Sequence, residues 1–334
     1  MQNNEIGLFS NGKKNNYDFI RFIAATLVMF SHSYPLSGKE TELFVRLSQG
    51  QETFGGLGVA IFFIISGYLV SQSYENSVNI GIFLRKRMLR IFPGLFVVIM
   101  LSSFVLGPMV TTLPIGEYFQ DKLTYRYLTT ASLWTIYYQL PGVFQSNIYS
   151  GAVNGSLWSL PFEFSFYLIV MGLGFTRILE NRFLSTALFL LLCVLAPIAG
   201  LGFKLFVYFS TGMMFYIYRN YIPLDGTYMT ICTIIIISSI YMGKGYKQVF
   251  PFCGAYMIFW TVYNPNIKLH GFARYGDFSY GMYIYAFPIQ QLVTYLWGGT
   301  MIPWQHFIIS FGIVFICAAF SWHIVEKPVM RKLK

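Results

Sequence analysis

The chain has 334 residues, of which 55% are hydrophobic, 19% aromatic and only 11% charged. Soluble domains carry roughly 25% charged residues, so this composition excludes a water-soluble globule, whose surface it could not cover. The 23 Lys and Arg against 13 Asp and Glu leave a net charge of +10, but the basic residues sit in short loops between apolar runs, a pattern that argues for a bilayer and against a nucleic-acid partner.

Runs near 20 apolar residues are long enough to cross roughly 30 Å of hydrocarbon as helices. The first, 17–36, follows Lys13 and Lys14 as a signal peptide would, but it carries Arg21 and His32 and lacks a small-x-small cleavage site, so a retained anchor is expected. Further spans are expected near 55–74, 91–111, 157–176, 183–200, 204–218, 227–242, 248–263, 276–297 and 304–324. The fold class is therefore all-α: a polytopic integral membrane protein with about ten transmembrane helices. The apolar stretch 127–140 is short and ends at Pro141-Gly142, so it reads as a re-entrant or interfacial piece of a loop. With the N-terminus inside, 15 basic residues fall on the cytoplasmic side and 7 on the other. This predicts an N-in, C-in chain in the cytoplasmic membrane, with the large loop 112–156 facing outward. Residues 1–13 read as a short cytoplasmic segment and 14–334 as one membrane domain, with no repeat or polar linker dividing it. Cys193, Cys232, Cys253 and Cys317 lie in apolar segments without close spacing and read as small buried hydrophobes.

Charged side chains inside spans cost several kcal/mol and are functional candidates by default. In the first span Arg21 and His32 are eleven residues apart, close to three helical turns, so they share a face about 16 Å apart along the axis. Asp18 is one turn before Arg21 and can pair with it. A structural ion pair with an interfacial histidine is the bland alternative; the shared face favours His32 as a general base. Arg87 and Arg90, in Arg85-Lys86-Arg87-Met88-Leu89-Arg90, fit either positive-inside topology or a cytoplasmic phosphate clamp, and spacing does not choose between them. In the run from Asn154 to Glu163, Trp158 suits the interfacial aromatic belt. Glu163 lies deeper, at the level of His32, its nearest expected partner. Asp277 beside Arg274, Glu326-Lys327-Pro328, His306 and His323 lie near span ends and read as structural. Gly55-Gly56-Leu57-Gly58 and Ser66-Gly67 read as close helix packing. No metal motif or hydrolase elbow is present.

These segments, in this order, resemble the membrane acyltransferase 3 family of mostly bacterial O-acyltransferases. Tyr17-Asp18-Phe19-Ile20-Arg21 with His32 is similar to its Arg-x10-His opening, Gly58 to Leu69 to its second-span signature, and Arg87-Met88-Leu89-Arg90 to its RxxR element. Gly155-Ser156-Leu157-Trp158-Ser159-Leu160 with Glu163, Ser279-Tyr280-Gly281-Met282-Tyr283 and Glu326-Lys327-Pro328 resemble the remaining motifs. Many members carry a histidine shortly after SYGxY, whereas here Tyr285 is followed by Ala286. The resemblance implies acetyl-CoA or another acyl-CoA as donor co-substrate, no tightly bound cofactor and no metal, and a sugar hydroxyl of a polysaccharide or lipid-linked glycan as acceptor. His32, Glu163 and Arg21 are then the expected catalytic set, Arg87 and Arg90 the donor-phosphate contacts, and Trp158 and Asp18 the substrate-binding residues. Many relatives also carry an SGNH-type domain; here eight residues follow Glu326, so transfer is expected to be completed within the membrane. Whether His32 activates the hydroxyl or first takes the acyl group is left open. The main alternative is a glycolipid or polysaccharide transporter with the ionisable residues lining a conduit. Nothing in the sequence specifies an oligomeric state.

Overall fold

The computed structural model describes residues 5–7, 15–39 and 41–331. The basic residues Lys13, Lys14, Lys332 and Lys334, which weigh in the orientation argument, and most of the segment 1–13 lie outside the described residues. The chain is all-α, with only three isolated β-bridges among the described residues. In chain order its main helices are α1 (Tyr17–Leu36), α2 (Phe54–Glu75), α3 (Ile80–Val110), α4 (Gly155–Phe175), α5 (Arg182–Leu195), α6 (Leu201–Ile217), α7 (Gly226–Tyr241), α8 (246–263), α9 (Ser279–Trp297) and α10 (Pro303–Arg331). A helix thus occupies each place where a span is expected. Among the described residues five of them, α1, α2, α3, α4 and α10, are long and apolar enough to cross a bilayer; α5, α6 and α7 are apolar but shorter. The protein is a multi-pass integral membrane protein. Its helices present large apolar side chains outward, such as Val194, Ile237, Ile308 and Phe320, because lipid does not penalise them while an unbonded backbone would be costly there.

α3 departs from expectation at its start. It begins eleven residues earlier than the apolar run, so the whole basic cluster Arg85–Arg90 is helical and Arg87 and Arg90 stand one turn apart on it. The segment 127–140 forms no membrane-length helix: a helix ends at Leu128 and a 3-10 turn at Ser132, and irregular chain follows.

Among the described residues three helices contain a π-turn, Ser102–Leu106 in α3, Phe250–Gly254 in α8 and Trp322–Glu326 in α10. Pro108 and Pro328 follow the first and third and Pro251 lies inside the second; a proline lacks an N–H and leaves a carbonyl to be satisfied otherwise. In α3 the Tyr118 hydroxyl donates to the Ser103 carbonyl at 2.7 Å.

The described residues divide into two compact units, one within 1–24, 43–84 and 165–275, the other within 25–42, 85–164 and 276–334. The first unit is organised by α2 against α6. A Cβ added at Gly67 would fall on the carbonyl of Phe209, and one at Gly212 on that of Ile64, so the glycines permit backbone-to-backbone packing. Around them lies an aromatic core in which the Tyr17 and Tyr263 hydroxyls share a 2.8 Å hydrogen bond. The four cysteines are free and half-buried rather than buried, and those of α7 and α8, Cys232 and Cys253, meet through their sulfurs. In the second unit α9 packs on α10, where Gly281 leaves room for Ala318.

Candidate active site

α1 is one continuous helix from Tyr17 to Leu36, so regular geometry keeps Arg21 and His32 on one face about 16 Å apart. Arg21 donates to Asp18 as the spacing predicts, and its side chain is only 19% exposed. The His32 ring meets Phe287 of α9 edge-on, with centroids 5.3 Å apart. Its Nδ1 is buried and has no hydrogen-bond partner among the described residues.

Phe287 links this imidazole to the loop that precedes α4. Its ring packs on Tyr149 at 6.0 Å and lies so close to Gly155 that any side chain there would strike it. Tyr149, Gly155 and Trp158, with Tyr138, Gln139 and Ser150, line an open cavity of about 510 Å³. Phe287 therefore contacts both the His32 ring and the wall of this cavity. Trp158 is half-buried and contacts Phe162 edge-on. Burial, reinforced by neighbouring Tyr149, raises the Tyr138 pKa; the phenol thus stays a hydrogen-bond donor at neutral pH.

Buried amides fasten this loop to α9. Asn154 caps the start of α4 by accepting from Ser156 N, while its Nδ2 donates to the Ile284 carbonyl at 2.9 Å. Gln291 donates to the carbonyls of Tyr149 and Ala152 at 2.8 and 2.7 Å and accepts from Asn147 Nδ2 at 2.8 Å. One helical position earlier, Gln290 donates to the Met29 carbonyl and to Ser33 Oγ, beside His32 on α1. In water-free surroundings such groups must be paired within the protein, so they hold α1, α9 and the loop in one register. None of the four amides was given a role from sequence, although for Gln290 and Gln291 a polar amide inside an apolar run was the available signal. His306 shares this network, its Nε2 lying 2.9 Å from the Gln290 carbonyl, in keeping with a structural role.

Glu163 is half-buried in the first turn of the α-helical part of α4. It acts electrostatically on Tyr283, whose hydroxyl donates to the Ser156 carbonyl at 2.8 Å and lies 2.6 Å from Ser159 Oγ. No hydrogen bond joins Glu163 to His32, although their matching depth suggested one; the ring contact of His32 is Phe287.

The first half of α3 carries a second polar cluster. Arg90 donates to Asp277 at 2.6 Å, and its guanidinium lies 5.8 Å from the Tyr280 ring centre. Asp277 also accepts from the Ser279 hydroxyl at 2.6 Å and from Ser279 N, closing the start of α9. The Tyr280 hydroxyl donates to the Ile91 carbonyl at 2.6 Å. Glu326 is buried, accepts from Ser321 Oγ at 2.9 Å and stands within electrostatic reach of Arg90 and Asp277. The partner of Asp277 is thus Arg90, 187 positions away, rather than the sequence neighbour Arg274, whose guanidinium lies over Tyr275. Arg87 precedes Arg90 by one turn. Among the described residues no group of three His, Cys, Asp or Glu side chains is placed to hold a metal ion.

A family model described as an acyltransferase domain, Acyl_transf_3, matches residues 14–323. An O-acetyl transferase of Shigella phage Sf6 is 31% identical over 96% of this chain and 97% of its own. Nodulation protein 10 of Rhizobium leguminosarum bv. viciae is 39% identical over 48% of this chain and 44% of its own. No solved structure matches the chain.

Proposed function

Because the chain belongs to the Acyl_transf_3 acyltransferase family and is a multi-pass membrane protein, we propose that it transfers an acetyl group from cytoplasmic acetyl-CoA to a sugar hydroxyl of an extracytoplasmic or lipid-linked polysaccharide. The observation that carries this reading is the contact of His32 with Phe287, whose ring also packs on Tyr149 in the wall of a cavity lined by Trp158 and Tyr138. Aromatic faces and phenol donors suit a sugar ring, and the likeness to a phage O-acetyl transferase over nearly the whole chain favours acetyl as the acyl group.

In this reading ten helices cross the membrane with both termini in the cytoplasm. Arg87, together with the Arg90–Asp277 pair, receives the phosphates of the donor at the cytoplasmic end of α3, since guanidinium forks suit phosphate oxygens. The pantetheine arm runs outward along the α1 face that bears Arg21 and His32, with Asp18 holding the Arg21 guanidinium in place. His32 takes the proton of the acceptor hydroxyl as its oxygen attacks the thioester carbonyl. The C–S bond then breaks, and the CoA thiolate recovers the proton from the imidazolium. Glu163 and Tyr283 supply the charge and phenol that orient the hydroxyl, and Trp158 stacks on the sugar.

Membranes containing the protein, given radiolabelled acetyl-CoA, are expected to place label in polysaccharide or its lipid-linked precursor. Glycolipid crossing the bilayer without label in any glycan would instead make the protein a transporter.

A further inference from the structure

The first unit contains a two-part cavity that the acyl-transfer reading does not use. Its polar part, about 650 Å³, lies where α2 and α6 end and α5 begins. Four charged side chains line it: Arg182, Arg219, Glu75 and Glu180. Arg219 is bound to Glu75 at 2.9 Å and lies 4.0 Å over the Tyr216 ring. Arg182 is held in place by stacking 4.7 Å over Tyr221 and donating to its hydroxyl at 2.7 Å. No carboxylate lies within ion-pair distance of Arg182 among the described residues.

The second part, about 410 Å³, lies between α4, α5 and α6 and is almost wholly apolar, with Ile169, Leu188, Leu192, Phe203, Phe206 and Met213 in its walls. Its two serines turn away: Ser185 donates to the Ile178 carbonyl and Ser210 to that of Val207. Leu179 and Ile217 line both parts, so the polar and apolar chambers adjoin. The apolar lining follows α6 from Gly202 to Ile217, about 22 Å of helical rise, which exceeds the roughly 15 Å depth of one leaflet of hydrocarbon.

We propose that this cavity binds one membrane glycerophospholipid with a zwitterionic, primary-ammonium headgroup, its phosphate on Arg182, its ammonium on Glu180 and one acyl chain between α5 and α6. An apolar slot ending at fixed charges matches an amphipathic ligand. The four charges sum to zero, which fits a zwitterion and gives a polyanion such as a nucleotide no net attraction. The inference is independent of the acyl-transfer chemistry: the site shares no residue with the cavity beside Phe287 or with the Arg90 cluster.

The test uses the purified full chain in detergent with equal amounts of phosphatidylethanolamine, phosphatidylglycerol and phosphatidylcholine, read by native mass spectrometry. A one-to-one adduct with phosphatidylethanolamine is expected to dominate. Arg182→Ala should lower its occupancy about tenfold, the loss expected for one charge-assisted hydrogen bond, and Leu192→Trp, which fills the apolar chamber, should lower it for every lipid. Thermal unfolding of each variant confirms that it folds; where Leu192→Trp does not, Leu188→Phe takes its place. Equal adducts for the three lipids, occupancy unaffected by either variant, or equal competition by soluble glycerophosphoethanolamine would overturn the proposal.

Discussion

Arg90 and Asp277 form a 2.6 Å ion pair that joins α3 to the start of α9, with the two side chains 19% and 10% exposed. Asp277 closes the start of α9 through Ser279, and Tyr280 of the same turn bonds the backbone of α3 at Ile91. The pair is thus at once a helix clamp and a neighbour of the proposed donor site. Removing one partner takes from a mostly buried charge its ion-pair partner, at a cost of about 3 kcal/mol. Asp277→Ala and Arg90→Ala are each expected to lower the unfolding temperature in detergent, and the double variant to lose less than the two losses combined. Strict additivity in that double-mutant cycle would mean that the pair contributes nothing.

Arg87 stands one turn before this pair on α3, and its replacement is read on donor binding. Arg87→Ala is expected to raise the apparent KM for acetyl-CoA about tenfold, a loss of about 1.4 kcal/mol, in protein shown by its unfolding transition to be folded. An unchanged KM in a stable protein would leave Arg87 a topological charge.

Trp158 faces the cavity beside Phe287, so Trp158→Ala should act on the acceptor and not on the donor. The expected result is a fall of about tenfold in kcat/KM for the glycan, with the KM for acetyl-CoA unaltered. Trp158→Phe should restore part of the loss, since a flat aromatic face remains.

At Gly212 the backbone of α2 lies against α6, and a Cβ would land on the Ile64 carbonyl. Gly212→Ala is therefore expected to destabilise the protein by about 1–3 kcal/mol through overpacking, visible as a lower unfolding temperature. Gly172→Ala, where an added Cβ meets nothing, serves as the control.

Much of this arrangement could be read from the chain. Span periodicity placed α1 and α2 within a residue or two, because a bilayer demands uninterrupted apolar length whatever the tertiary packing. The start of α3 was missed because Arg85 to Arg90 break the apolar run without breaking the helix; propensity favours arginine and lysine in helices as much as leucine. The i,i+3 spacing revealed the Asp18–Arg21 pair, a local contact. Contacts between distant segments were beyond reach: Arg90 with Asp277, Phe287 between His32 and Tyr149, and Gln290 beside Ser33 all depend on how helices are assembled. Depth alone placed Glu163 beside His32, and depth fixes only one of the three coordinates needed for a hydrogen bond; that Glu163 acts on Tyr283 could not be read from it.

The central claim is that His32 performs the proton transfer of acyl transfer to a glycan. Its most direct test is radiolabel carried from acetyl-CoA into glycan by membranes bearing either the parent protein or His32→Ala, matched for the amount of inserted, folded protein. The account predicts label with the parent and label at the level of empty membranes with the variant. Transfer by His32→Ala at the parental rate would contradict it.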